Sequence, residues 1–257
     1  MISEVLGEDI EGVVSRYEEE LSSVIRYARY MAGETTSEWE KLLGPTVALK
    51  THGGVTARIV EEFINYDDGR GLELSREEGM LMIITGHVHD WGEVIIDHQG
   101  VGDVSYDQKD DGDVEIERLM FQILLETIDS EPSRELINRA YEISIDKELR
   151  LGRIFNAVER VGFMRTTLRA YEGIEGQRIN NWKGLVGNTL SNQIKVLCKY
   201  ANDYPYVLYL LEENTSAISV MFREVLSASV PNDATGKESY DISKLRENYI
   251  AWKEWVE

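Results

Sequence analysis

Apolar positions recur along most of this chain with the 3.6-residue spacing of amphipathic helices, and no run of useful length alternates like a strand. Over residues 4–31, "EVLGEDIEGVVSRYEEELSSVIRYARYM", a single stripe takes Ile10, Val13, Val14, Tyr17, Leu21, Val24, Ile25 and Ala28, which predicts a long helix. After Pro45, a helix is predicted from Thr51 through Val55, Ile59 and Phe63 to the turn "YDDGRG". Ser75 opens "SREE", a capping box with Glu78, ahead of the apolar run from Met80 to Ile84. Residues 100–113, rich in Gly and Asp, read as a loop. Helices are expected again at 114–129, 133–148, 150–171, 178–201 and 205–228, the last starting on Pro205, a residue suited to a first helical turn. "VPNDATGKESYD" reads as a mobile loop before a terminal helix carrying Trp252 and Trp255. The expected fold class is all-α, a single domain over 1–257.

Composition narrows the function classes. A net charge of −20 repels polyphosphate backbones and anionic lipid, so neither a nucleic-acid polymer nor a membrane is an expected partner. A small phosphorylated substrate stays compatible, because a bound divalent cation inverts the local field. No apolar run reaches the length of a membrane span, and the acidic amino terminus lacks the pattern of a secretory signal. The lone Cys198 allows no internal disulfide, which points to a cytoplasmic protein. It also leaves nitrogen and oxygen as the metal ligands to expect.

All four histidines fall between positions 52 and 98. Three sit in "TGHVHDWGEVIIDHQ", residues 85–99, with carboxylates between them. His89 and Asp90 are neighbours and would point about 100° apart on a regular helix, so they can share a cation only where the backbone turns at a helix end. Glu93, one turn further, can aim at the same point and is placed to orient a metal-bound water or take its proton. His52 starts the helix "THGGVTARIVEEFI", where two glycines permit a close approach of backbone or ligand. Glu159, on a face shared with Phe155 and Phe163, would be a buried acid with a reason if a cation neutralised it. The ordinary alternatives are a helix-edge His52, a solvated Glu93, an arginine-paired Glu159, surface positions for His87 and His98, and a solvated loop charge at Lys109.

The combination "THGGVTARIV", followed by His89-Asp90 and "WGE", resembles the HD-domain metal-dependent phosphohydrolases, and within them the 5'-deoxynucleotidase-like branch. The resemblance covers about residues 45–172. It implies an HD-type helical bundle with additional N- and C-terminal helices, the extension running over about 178–257. It implies a divalent metal ion (Mn, Co, Mg, Fe or Zn) held by His52, His89, Asp90 and Glu159, the last standing where the family has aspartate. Glu93 would orient the attacking water, and Asp103, or His98 in a gapless register, would take the place of a further acidic residue that protonates the leaving oxygen. The branch has an Arg-Trp pair ahead of the first histidine, whereas here Trp39 has no arginine beside it. The expected function is hydrolysis of a small phosphorylated molecule, foremost a nucleotide; the alternative is a non-catalytic HD-like sensor that binds a nucleotide or protein. The C-terminal helices offer either a lid or a homodimer face.

Overall fold

The computed structural model describes residues 2–31, 33–95, 111–175 and 177–257. The chain is all-α: among the described residues the extended pairing is limited to three isolated bridges, Ile25 with Ala48, Ile174 with Gln177 and Asn232 with Glu238. No described helix is long and apolar enough to cross a membrane. The chain divides into two compact units, each built from several stretches of the sequence.

The first unit takes residues 1–28, 45–61 and 75–156. It opens with α1 (Ile2–Arg16) and α2 (Glu18–Ser23). The long helix expected over 4–31 ends here instead, because the backbone turns extended at Val24 and pairs elsewhere. The Arg26 N–H donates to the Val47 carbonyl (2.8 Å) and the Leu49 N–H to the Val24 carbonyl (3.1 Å). Tyr27 then takes a positive φ of 65°, which no helix tolerates. Leu21, Val24 and Leu49 form a small buried cluster around this tie.

Helix α3 (Thr36–Leu43) belongs to the second unit; α4 (Leu49–Asp67) begins in the first. Next comes α5 (Arg76–Val88), started by the Ser75–Glu78 capping box that the sequence announces, with both reciprocal bonds formed. A tight 3-10 turn, Trp91–Ile95, follows. Helices α6 (Asp111–Glu126) and α7 (Glu131–Ile145) then pack as a hairpin, the Phe121 ring stacked on Tyr141 at 3.7 Å. The buried Thr85 hydroxyl on α5 contacts the Ala140 carbonyl (3.0 Å) on α7.

The second unit takes residues 29–44, 62–74 and 157–257. It contains most of α8 (Arg150–Glu172), a short α9 (Trp182–Gly184), a π-helical turn (Leu185–Leu190), α10 (Ser191–Tyr200), α11 (Pro205–Ser227) and α12 (Ile242–Val256). The stretch 178–201, expected as one helix, is thus interrupted by a π turn where Gly187 lies against the Tyr240 ring; a Cβ there would stand 2.3 Å from a ring carbon. Residues 230–241 carry hydrogen bonds of their own, including the isolated bridge of Asn232 with Glu238. The buried Asp233 carboxylate accepts from the Thr235 and Lys237 N–H groups and from Arg29.

Candidate metal centre

Helix proximity builds this site. Gly53 on α4 and Gly86 on α5 face one another's backbones: a Cβ on Gly53 would lie 2.4 Å from the His87 carbonyl oxygen, and one on Gly86 would lie 2.6 Å from the Ala57 Cα. Only two glycines let the helices meet this closely. The glycine beside His52 therefore admits the backbone of α5. The contact brings the His52 ring, in the first turn of α4, to 5.2 Å from the His89 ring at the end of α5. Gly92 performs a similar service in the next turn, where a Cβ would stand 2.3 Å from the Glu117 carbonyl oxygen of α6.

His89 is the C-cap of α5, its N–H still donating to the Thr85 carbonyl (3.0 Å). The chain then leaves the helix, so Asp90 turns towards the same point, as two sequence neighbours within a regular helix would not. One Asp90 carboxylate oxygen, Oδ2, lies 3.1 Å from His89 Nε2 and 3.5 Å from His52 Nε2. His89 Nδ1 contacts the Gly86 carbonyl oxygen at 3.0 Å. A carbonyl can only accept, so Nδ1 carries a hydrogen and Nε2 is the ring nitrogen turned to Asp90. A ring nitrogen and a carboxylate oxygen facing one another at this distance need a proton or a cation between or beside them. The His52 ring is held by the Thr46 and Thr56 hydroxyls, each at 3.2 Å from a ring nitrogen. Phe155, in the first half of α8, meets the His89 ring edge-on at 5.3 Å.

One cation is already in place. The buried Arg26 guanidinium pairs with Asp90 Oδ2. Burial works to raise the Asp90 carboxyl, but the facing His89 and Arg26 charges overcome it and hold the group well below the usual carboxylate range. Burial, reinforced by Arg26, pushes His52 well below the ordinary histidine value despite the pull of Asp90, so its imidazole is neutral at pH 7. His87 is also lowered by burial, partly offset by Glu61.

The structure brings together His52, His89 and Asp90, whose ligand atoms all lie within 4.8 Å of one another. Donors about 2.0–2.2 Å from one cation stand at most about 4.4 Å apart, so separations of 3.1 and 3.5 Å fit a shared ion. Two imidazoles and a carboxylate suit the borderline divalent metals. Glu93 is buried in the 3-10 turn, its N–H bonded to the Asp90 carbonyl (3.0 Å), and is not among the three converging donors. Glu159 sits one turn beyond Phe155 on α8, in the second unit, half-buried and likewise outside that group. Asp103, His98 and Lys109 lie outside the described residues. Arg26 is the member that sequence reasoning missed: 26 positions before His52, it sits in a stretch whose periodicity signals helix. Comparison with protein-family models, with curated proteins and with solved structures finds no match.

Proposed function

We propose that the His52–His89–Asp90 cluster is the metal site of a phosphohydrolase acting on a small phosphorylated molecule, foremost a nucleotide. The observation that supports this most is the convergence of two imidazole nitrogens and one carboxylate oxygen on a single buried point. The resemblance of "THGGVTARIV…HDWGE" to HD-domain phosphohydrolases supplies the reaction class. A divalent cation bound there would polarise a phosphoryl oxygen and acidify a bound water.

The chain's own groups divide the remaining work. Thr46 and Thr56 orient the His52 ring, and the Gly86 carbonyl orients the His89 ring through Nδ1, turning Nε2 towards Asp90. Glu93, buried one turn past Asp90, takes the proton of the attacking water. With a cation held by Asp90, the Arg26 guanidinium beside it would be placed to offer its fork to a phosphoryl group. The acidic surface excludes polyanionic substrates, which keeps the substrate small.

The Arg26–Asp90 pair also favours a second reading. The guanidinium already neutralises the acid, as it would in a non-catalytic helical module that senses a nucleotide or protein. Phosphate release separates the two. Chelated protein, resupplied with Mn²⁺, Co²⁺ or Mg²⁺, should hydrolyse nucleoside monophosphates or p-nitrophenyl phosphate. Asp90→Ala should abolish turnover, and Glu93→Gln should lower kcat by about 10²–10⁴ with metal still bound. No turnover with any metal, across nucleotides and sugar phosphates, would leave the sensor reading.

A further inference from the structure

Helix α6 is apolar on two sides. Its inner side buries Phe121, Leu124 and Leu125. Its outer side presents Ile116, Leu119 and Ile123, which are 40, 61 and 44% exposed. Their i, i+3, i+7 spacing draws one seam about two turns long. Among the described residues nine large apolar side chains are exposed, and four of them, these three and Val114, lie on this helix. Such concentration on one element differs from the scattered exposure that needs no explanation.

One border of the seam is acidic. Helical geometry puts Glu115, Gln122 and Glu126 along that edge and Met120 and Asp113 along the other, while Glu117 falls on the inner side with one carboxylate oxygen buried. Glu115 and Glu126 are exposed. The one basic residue of α6, Arg118, lies past Glu115 towards α7, in a shallow depression of about 470 Å³ closed on the α7 side by Tyr141 and Glu142.

We propose that the outer face of α6 docks a cationic amphipathic helix of another protein. Apolar anchors at i, i+3 or i+4, and i+7 of the partner would lie on Ile116, Leu119 and Ile123, with flanking Lys or Arg against Glu115 and Glu126. Charge decides against a second copy as occupant. Self-pairing would set the acidic borders against each other on chains that already carry −20.

A designed helical peptide of about 18 residues, with Leu at the seam positions and Lys beside it, is the probe; its control carries Glu beside the same seam. The lysine peptide should bind with micromolar Kd by fluorescence anisotropy, and the glutamate peptide at least ten-fold more weakly. Leu119→Glu should weaken the lysine peptide at least ten-fold although it adds negative charge, with unchanged circular dichroism because the side chain is exposed. Glu115→Lys with Glu126→Lys should shift the preference towards the glutamate peptide. Unchanged or tighter binding by Leu119→Glu would reduce the effect to general charge attraction and overturn the proposal. A dimer in sedimentation that Leu119→Glu dissolves would also overturn it, since the face would then be a self-interface.

Discussion

Asp90 in the first unit and Asp67 in the second are both largely shielded from water, and their carboxyls respond in opposite directions. At Asp90, burial raises the carboxyl, but His89 and Arg26 reverse that effect and keep it ionised. At Asp67, the last residue of α4, burial prevails and pushes the group up to about 6. Its Oδ1 accepts the Tyr206 N–H in the first turn of α11 (2.7 Å), and Arg70 lends a weaker pull. Its other oxygen has no hydrogen-bond partner among the described residues. One backbone donor suffices to cap a helix, but not to hold a buried negative charge cheaply. The pair shows that burial alone is no signature of a site. What marks Asp90 is the number of groups that converge on a single oxygen.

Removing the compensation should make Asp90 the costlier of the two acids. Arg26→Ala leaves a buried carboxylate beside two imidazoles and should cost about 3–5 kcal/mol by urea denaturation without added metal. Excess Co²⁺ or Mn²⁺ should restore more stability to this variant than to the native chain, because the cation takes the guanidinium's place. Equal gains in both would separate Asp90 from any metal role.

A smaller loss is expected from disturbing the approach of α4 and α5. Gly53→Ala puts a Cβ against the His87 carbonyl and should cost about 1–3 kcal/mol, with weaker metal binding as His52 moves off His89. Gly54→Ala, whose Cβ would meet only the His87 ring at 3.9 Å, should be neutral or slightly stabilising through helix propensity. If both alanines behaved alike, close packing would not be what sets the pair of rings.

The smallest effect belongs to Asp67, and its sign follows from the raised value. The folded carboxyl holds its proton more tightly than the unfolded one, so stability falls as pH rises from about 4 to about 6 and then levels off. Asparagine cannot ionise yet keeps the oxygen that accepts from Tyr206. Asp67→Asn should therefore be more stable than the native chain by about 1–2 kcal/mol at pH 7.5 and equal to it near pH 4. A native advantage at pH 7.5 would show that the charge at Asp67 is compensated after all.

What could be read in the sequence was local. The Ser75–Glu78 box starts α5 because its four residues satisfy their own backbone donors, and Pro205 opens α11 because a first turn needs no N–H from it. His52, His89 and Asp90 were legible as metal-binding residue types near helix ends. The rest depends on distant partners. The helix through Val24 breaks because residues 24–26 pair with 47–49. Gly86 shows its purpose only when Ala57 lies against it. Arg26 reads as one more charge on an amphipathic stripe until folding brings Asp90 to its guanidinium. Asp67 reads as part of a surface turn until the start of α11 covers it.

The central claim is that three side chains grip one cation, and metal stoichiometry tests it without any choice of substrate. Native protein equilibrated with Mn²⁺ or Co²⁺ and desalted should retain about one ion per chain by elemental analysis, while His52→Ala and Asp90→Ala, folded by circular dichroism, should each retain almost none. Native protein without metal, or variants that keep as much as the native chain, would contradict it.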